Sequence, residues 1–310
     1  MSRPELAAAA PLPPVGQGFL VSSLLGCSIL WASGFLFIKL SGDISPFVIA
    51  AMRGLVGASS LALWFKLQGK SLLPELRELK DWLILGTFNG WAPNVLVSYA
   101  LSQITTASAA MVQAAGPLIV AVMAHMLFPD ERLTRLRFLG VLIGFVGMGI
   151  LIGPAAFPQS GISPAGSLAM VAVTLSYATA NLYIRTIRQA DPSRLALGQQ
   201  VCSGLPATIL ALAVSGPGAF APVPSHLGPL LALGIVATAM PMLTFMRMIR
   251  RAGPTRASMV GYLLPVWTAI LAVLFLDEHL GLREMLGGGV VLTGVAFVTF
   301  SGRFKRPGVA

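Results

Sequence analysis

Charged side chains are scarce in this sequence of 310 residues. They make up 10% of it, against about 25% in soluble domains, while 55% of the residues are hydrophobic. So few charges could not cover the surface of a soluble fold of this size, and the sequence therefore predicts an integral membrane protein. The net charge of +10 does not indicate nucleic acid, because basic residues are judged by where they fall along such a chain. We expect no nucleic-acid partner.

Cysteine and histidine are also rare, with two and three residues respectively. Cys27 and Cys202 lie in apolar runs without metal-ligating neighbours, so the sequence predicts neither a disulfide framework nor a metal site. The motifs H-E-x-x-H and G-x-S-x-G do not occur, which argues against a metalloprotease or a serine hydrolase. We expect a protein that is not an enzyme and that needs no cofactor.

Long apolar runs dominate what is present. A helix needs about 20 apolar residues to cross the hydrocarbon core of a bilayer, and ten segments qualify. They lie at about 18–40, 44–65, 82–102, 106–128, 136–153, 166–186, 194–215, 227–248, 255–276 and 283–302. The residues before them, 1–17, hold no short apolar core ending in a cleavage site, so we interpret them as a disordered lead and not as a signal peptide.

The basic residues test the topology of these spans. With the N-terminus inside, 18 of the 21 Lys and Arg residues fall in inner segments, and Arg283 is the one cation in the outer loops. Cytoplasmic segments carry the excess of basic residues in membrane proteins. The sequence therefore predicts an all-α polytopic membrane protein of ten transmembrane helices, with both termini inside.

A stretch of nine residues occurs twice. Residues 31–39 read W-A-S-G-F-L-F-I-K, and residues 177–185 read Y-A-T-A-N-L-Y-I-R, 146 positions later. Further pairs recur at spacings of 146 or 148 positions: Pro46 and Pro192, Pro93 and Pro241, Met111 and Met259, Pro117 and Pro265. These matches predict an internal duplication.

Five spans in each half place the second copy upside down in the membrane. The sequence thus predicts an inverted five-plus-five repeat, an architecture common in secondary transporters. Its predicted parts are the lead 1–17, the first repeat 18–153, a periplasmic linker 154–165, the second repeat 166–302 and a basic cytoplasmic tail 303–310.

These residues also carry a family resemblance. Two sets of five spans, a W-A-S-x-F-x-x-x-K first helix, Arg53 in the second helix and a D-E-x-L turn after helices four and nine resemble the EamA family of the drug/metabolite transporter superfamily. Within that family the sequence is similar to bacterial amino-acid exporters of the YddG type. The resemblance implies a basket of eight helices around a central cavity, with helices five and ten to one side. It also implies an inner-membrane location and outward transport.

Prolines occupy corresponding places inside the predicted spans. Pro93 and Pro241 lie in helices three and eight, and Pro117 and Pro265 lie in helices four and nine. Each proline removes a helical hydrogen bond and frees a carbonyl group, which is tolerated at membrane depth only where protein or a water-filled cavity satisfies it. Such pairs point to a transport site. We predict hinges at all four, and the alternative is a structural kink without ligand contact.

Polar and aromatic residues inside the spans are candidates for lining a substrate cavity. Trp31 and Tyr177 are repeat partners too deep for an interfacial aromatic belt. Any such residue alone more often joins helices than contacts a ligand, and Asn94 can instead bind a carbonyl that Pro93 frees. The predicted cavity residues are Trp31, Phe35, Arg53, Asn89, Trp91, Asn94, Ser98, Tyr99, Gln113, Tyr177, Asn181, Tyr262 and Trp267.

Arg53 is the candidate whose charge lies deepest in a span. It follows the start of helix two by eight residues, about 12 Å at 1.5 Å per residue, where a cation is costly and usually functional. Two roles stay open: attraction of a substrate carboxylate, or a structural clamp on carbonyl groups at helix ends. Lys39 is shallower and is expected to reach the outer headgroups, with a gate as the alternative.

No acidic residue falls in the middle of a predicted span, since all eleven lie in loops or at helix ends. A proton-coupled exporter of cationic drugs would use a buried Asp or Glu, and His125 lies too near the inner end of helix four to replace one. We therefore expect a secondary transporter that exports amino acids with aromatic or apolar side chains by alternating access, without tight proton coupling. Drugs, other metabolites such as nucleosides or sugars, and lipids are the alternative substrates.

Glycines recur in helices five and ten, where small residues allow helices to approach closely. They are Gly140, Gly144, Gly147 and Gly149, and Gly287, Gly288, Gly289 and Gly294. We expect these two helices to pack together inside a monomer, with a homodimer through the same faces as the alternative. The expected partners are the lipid bilayer and a small-molecule substrate.

A membrane enzyme and a channel are the rival classes. His125 and Asp130 form an H-x-x-x-x-D pattern shared with some acyltransferases, but it straddles a predicted helix end, and the second copy has Ala272 in place of the histidine. Nothing resembles a carbonyl filter or a charged ring. Both classes are therefore disfavoured.

Overall fold

The computed structural model describes residues 17–127, 134–152, 163–187, 191–252 and 260–300. Within these ranges the chain is helical apart from short turns and loops. Nearly all of the predicted lead, most of the predicted linker, the predicted tail and the first D-E-x-L turn lie outside the described residues.

Ten helices follow one another through the described residues, as the sequence predicts. They are α1 (Gln17–Leu40), α2 (Pro46–Leu67), α3 (76–103), α4 (106–127), α5 (Arg135–Ile152), α6 (Pro164–Thr186), α7 (Pro192–Ser215), α8 (227–252), α9 (Val260–Leu276) and α10 (Leu282–Phe300). Helices α2, α6 and α7 each begin with proline, which is favoured there because the first helical N–H groups have no partner within the helix.

Not all ten helices carry an equally strong membrane signal. Six stretches of the described chain are long and apolar enough to cross a membrane: Gly18–Leu40, Pro46–Leu67, Thr106–Leu127, Pro164–Ile184, Pro192–Ser215 and Pro217–Phe245. Two shorter apolar helices, Phe138–Ile150 and Leu263–Leu276, accompany them. The molecule is thus a helical polytopic bundle.

Helix α3 begins at Leu76, earlier than the predicted span. Glu75 and Glu78 form a capping box at this end, in which a Glu78 carboxylate oxygen accepts the Glu75 N–H at 2.9 Å. Such reciprocal bonds satisfy N–H groups that a helix start otherwise leaves free. The cap therefore extends the helix beyond its apolar part.

Helices α3 and α8 are interrupted at corresponding places. A π-helical turn, Thr87–Trp91, divides α3, and a second, Ile235–Ala239, divides α8. The two turns are 148 residues apart, which is also the spacing of Pro93 and Pro241 just behind them. Each proline thus falls at the start of a new α-helical segment, where its missing N–H and its ring are tolerated.

The other proline pair is accommodated differently in the two halves. Helix α4 consists of Thr106–Gln113 and Gly116–Leu127, with a turn between them just ahead of Pro117. Helix α9 runs without interruption from Val260 to Leu276 and keeps Pro265 inside it. The side chain of Pro117 lies outside the described residues.

Helices of each half pack against helices of the other half. Helix α5 packs along α10, and α2 packs along α7. Helix α1 packs on α9 and α8, and its counterpart α6 packs on α4 and α3, the counterparts of those two helices. These contacts of one half therefore have equivalents in the other.

Glycines set the closest of these approaches. A Cβ atom added to Gly147 would lie 2.6 Å from the backbone nitrogen of Val291, and one added to Gly294 would lie 2.5 Å from that of Gly144. Gly144 precedes Val291 by 147 positions, as Gly147 precedes Gly294. The glycine faces of α5 and α10 thus form a contact within the chain.

Candidate functional site

Polar side chains of α2 and α7 bond to the π-helical turns of the opposite half. Arg53 donates through Nε to Thr238 Oγ1 at 3.1 Å, in the turn of α8. Gln199 of α7 accepts a hydrogen bond from Asn89 Nδ2 at 2.9 Å, in the turn of α3. Arg53 and Gln199 are 146 residues apart, so equivalent positions of α2 and α7 each bond to the π-helical turn of the opposite half.

The Gln199 contact also satisfies the carbonyl group that Pro93 leaves free. Proline has no N–H for the carbonyl four residues earlier, which here belongs to Asn89. Gln199 Nε2 donates to that oxygen at 3.2 Å. Ser176 Oγ of α6 donates to the neighbouring carbonyl of Phe88 at 2.7 Å. Side chains of the second half therefore meet the irregular backbone of the first.

Within the described residues, the Asn94 side chain bonds to another side chain and not to a carbonyl group. Its Nδ2 atom donates to Ser203 Oγ of α7 at 3.4 Å, and its own carbonyl oxygen accepts from Ser98 Oγ at 2.8 Å. All three side chains are buried. Asn94 thus joins α3 to α7, whereas Ser98 bonds within α3.

Glycines let the helices around this site touch backbone to backbone. A Cβ atom on Gly54 would lie 2.5 Å from the Cα atom of Gly204, where α2 crosses α7. A Cβ atom on Gly57 would lie 3.3 Å from Thr238, and one on Gly90 would lie 2.7 Å from Ser203. Added side-chain atoms would force the two π-helical turns away from α2 and α7.

Arg53 is half-buried, with a neutral hydrogen-bond partner and a neutral neighbour. Thr238 is buried, and its hydroxyl donates to the Leu233 carbonyl at 2.8 Å, which leaves the oxygen free to accept from Arg53. Tyr177 of α6 lies within electrostatic range of the guanidinium. Within the described ranges no carboxylate pairs with Arg53. The site therefore holds an uncompensated positive charge.

Aromatic side chains of both halves pack in the interior of the bundle. Trp31, Tyr177 and Trp267 all pack against the main hydrophobic core, which also contains Phe35. Trp31 meets Phe245 of α8 edge to face, with ring centroids 5.0 Å apart. These aromatic side chains come from α1, α6, α8 and α9, so both halves contribute.

Other predicted cavity residues lie elsewhere or on the periphery. Trp91 packs against Ala50 and Ala51 of α2 and Ala207 of α7. Asn181 and Tyr99 are exposed at the surface of the bundle.

Three further predicted residues occupy helix ends or fall outside the description. Gln113 is half-buried at the break in α4, and Lys39 is half-buried at the last turn of α1. The side chain of Tyr262 lies outside the described residues.

Sequence reasoning missed four polar residues of this site, Gln199, Gln200, Ser203 and Thr238. All four are buried. The repeat contained a usable signal, because Gln199 stands 146 positions after Arg53. Gln200 Oε1 is buried without a hydrogen-bond partner within the described part of the chain.

The second D-E-x-L turn binds the start of another helix. Glu278 accepts hydrogen bonds from the backbone N–H groups of Thr106 and Ala107, at 3.0 and 3.3 Å. A carboxylate is favoured at a helix N-terminus by these free donors and by the helix dipole. The motif therefore ties the end of α9 to the beginning of α4.

The comparison with known families agrees with this architecture. The sequence profile of the EamA-like transporter family matches residues 19–153 and again residues 164–300. The chain belongs to the EamA-like transporter family. With the apolar helices described above, this membership makes it a multi-pass membrane transporter.

Similar proteins match nearly the whole chain. The uncharacterized inner membrane transporter YedA of Escherichia coli K12 is 26% identical over 93% of this chain and 92% of its own. The uncharacterized transporter YoaV of Bacillus subtilis is 19% identical over 90% and 96%. The protein PecM of Dickeya dadantii is 23% identical over 84% and 85%.

A solved crystal structure shares the fold. It superposes with a TM-score of 0.65 at 20% identity and covers 93% of this chain and 100% of its own.

Proposed function

We propose that the protein is a secondary transporter that exports small metabolites across a bacterial inner membrane by alternating access. Its substrates are amino acids with aromatic or apolar side chains. The observation that carries the proposal is the pair of contacts that Arg53 and Gln199, at equivalent positions of α2 and α7, make with Thr238 and Asn89 in two interrupted helices. Irregular backbone at membrane depth occurs where protein buries it or where it lines a cavity, and transporter sites are built from such interruptions.

An inverted repeat with both termini inside forms part of this proposal. It is supported by the two stretches that match the family profile and by the helix contacts between the halves described above. The excess of basic residues in the predicted cytoplasmic segments supports it as well. Since the glycine faces of α5 and α10 are used within the chain, we also propose a monomer.

The aromatic side chains support the choice of substrate. Trp31, Phe245 and Trp267 offer apolar surface for a substrate side chain, and aromatic faces also attract an ammonium group. In the described part of the chain no carboxylate lies at this depth to exchange a proton. Movement therefore follows the substrate gradient, and an uptake rate that scales with an imposed pH gradient would contradict this.

Efflux from proteoliposomes tests the proposal directly. Vesicles containing the wild type are loaded with labelled amino acids and compared with vesicles containing Trp31→Ala. The wild type is expected to release aromatic and apolar amino acids, and the variant is expected to lose this activity. Trp64→Ala is a matched control, because Trp64 lies near Lys70 at the C-terminal end of α2. Absence of amino-acid efflux from folded wild type would favour another metabolite, a drug or a lipid.

Lipid movement is the second candidate, because an apolar groove opens at the surface of the bundle. The groove has a volume of about 560 Å³ and lies between α9 and α10, with Met111 and Ala114 of α4 beside it. Its lining residues are apolar, which suits an acyl chain. Scrambling of a fluorescent phospholipid in the same vesicles, without amino-acid efflux, would favour this candidate.

A further inference from the structure

Arg194 and Arg53 differ in how much of the guanidinium group makes hydrogen bonds within the described residues. Arg194, at the start of α7, binds Glu78 through Nε and Nη2 at 2.7 and 2.6 Å. Its Nη1 and Nη2 atoms also donate to the carbonyl groups of Ser71 and Leu73. All three nitrogen atoms of the Arg194 guanidinium therefore bind other parts of the chain.

Arg53 uses one edge of its guanidinium, since Nε donates to Thr238. The alternative role of a clamp on helix-end carbonyl groups requires bonds from Nη1 and Nη2 to backbone oxygens. Within the described ranges the structure records no such bond for Arg53, while it records two for Arg194. The two Nη atoms are therefore the part of Arg53 that remains for a ligand.

We infer that the transported molecule is recognised by a carboxylate group, which Arg53 binds through Nη1 and Nη2. This inference rests on the proposed transport function and states which part of the substrate the site requires. A planar guanidinium binds a carboxylate with two parallel hydrogen bonds. One carboxylate also balances the single charge of Arg53, whereas a phosphate dianion would leave net negative charge at membrane depth.

Thr238 acts in this scheme as a positioning residue. Its hydroxyl hydrogen is directed to the Leu233 carbonyl, so its oxygen accepts from Arg53 Nε and fixes the plane of the guanidinium. The contact depends on the π-helical turn, which brings Thr238 against α2 at Gly57. The interruption of α8 thus serves to orient a charge.

Four phenyl compounds distinguish recognition of a carboxylate from recognition of an amide or an amine. Detergent-solubilised protein is titrated with L-phenylalanine, 3-phenylpropionate, L-phenylalanine amide and phenethylamine, and the midpoint of thermal unfolding is recorded. We expect the two carboxylates to raise the midpoint of the wild type, and the amide and the amine to leave it unchanged. Arg53→Gln should weaken carboxylate binding about 10- to 100-fold, as expected for loss of charge-assisted hydrogen bonds. Arg53→Lys should retain part of it.

Two further variants guard against misfolding. Thr238→Val keeps Arg53 and should weaken carboxylate binding several-fold, with binding regained at higher ligand concentration. Arg194→Gln should lower the unfolding midpoint without ligand, but should leave the carboxylate preference intact. Equal shifts with the amide and the carboxylates, a shift with phenyl phosphate alone, or carboxylate binding unchanged in Arg53→Gln would each overturn the inference.

The same compounds in proteoliposomes distinguish the two proposals. Wild-type transport of the amide or the amine, independent of Arg53, would leave the transporter in place and remove carboxylate recognition. Carboxylate binding that depends on Arg53, without transport of any compound, would retain the site and contradict the proposed function.

Discussion

Arg194 and Glu78 form an ion pair with little exposure to water. The Arg194 and Glu78 side chains are 19% and 9% exposed, and the hydrogen bonds from Arg194 hold the pKa of the Glu78 carboxyl below its ordinary value. Because Arg194 also binds the loop before α3, the pair joins that loop to the start of α7. Its loss should loosen this end of the bundle.

We predict that Glu78→Gln lowers the free energy of unfolding by about 1.5–3 kcal/mol, the range for hydrogen bonds to charged groups. The depressed pKa gives the sign of the pH effect. The pair contributes fully above the unfolded-state pKa of about 4.3, and this contribution disappears as the pH falls through the lower folded-state pKa. The measurement is thermal unfolding between pH 7 and pH 3. Asp43→Asn, at an exposed turn, is the control, and equal effects of the two changes would contradict the prediction.

At the scale of a helix, the π-helical turn of α3 depends on an outside partner. Gln199 supplies the donor that Pro93 lacks for the Asn89 carbonyl. Without this donor the carbonyl would be buried and unpaired, which costs about 1–3 kcal/mol. The interruption is therefore stable only with α7 beside it.

We predict that Gln199→Leu destabilises the protein and that adding Pro93→Ala relieves part of the loss. The alanine restores an N–H group four residues after Asn89, so the double-mutant cycle should show a coupling of about 1 kcal/mol. Unfolding in mixed detergent micelles measures it. Additive effects of the two changes would show that Gln199 does not act through this carbonyl.

The contact between α5 and α10 gives a second prediction at this scale. Gly147→Ala and Gly294→Ala place a methyl group against backbone atoms and should each cost about 1–3 kcal/mol, as overpacking does. Gly149→Ala and Gly289→Ala meet no atom within 4 Å, so they should be neutral or should stabilise the helix by up to about 1 kcal/mol. Unfolding midpoints of the four variants measure this. A dimer through these faces would instead appear as a change of mass in detergent.

For the whole molecule, the predicted orientation can be tested by labelling. Cys27 and Cys202 are replaced by alanine, and single cysteines are introduced as Ser71→Cys and Ser225→Cys at exposed positions. Ser71 lies between α2 and α3 and should be inside, whereas Ser225 lies between α7 and α8 and should be outside. An impermeant maleimide should label only Ser225→Cys in intact cells and both variants after permeabilisation. Labelling of Ser71→Cys in intact cells would reverse the orientation.

The number of helices followed from apolar length, and the predicted spans 44–65 and 194–215 place α2 and α7 within a few residues. The π-helical turns did not follow, because one extra residue in a turn leaves composition unchanged. That residue rotates what comes after it by about 100°, which bears on why Trp91 packs against alanines of α2 and α7. Thr238 and Ser203 look like ordinary residues that join helices, and only the fold shows which faces converge.

The crossing of Gly54 and Gly204 has a mechanical consequence. Because their backbones are in direct contact, α2 and α7 have little room to slide past each other. The two helices can still rotate about the contact. Gly204 stands about 18 Å from the start of α7 at 1.5 Å per residue, so a tilt of about 10° would sweep that end through about 3 Å. Arg53 is next to the contact about which the helices rotate and would hardly move. In the proposed alternating access, the charge thus keeps its place while the ends of the helices tilt.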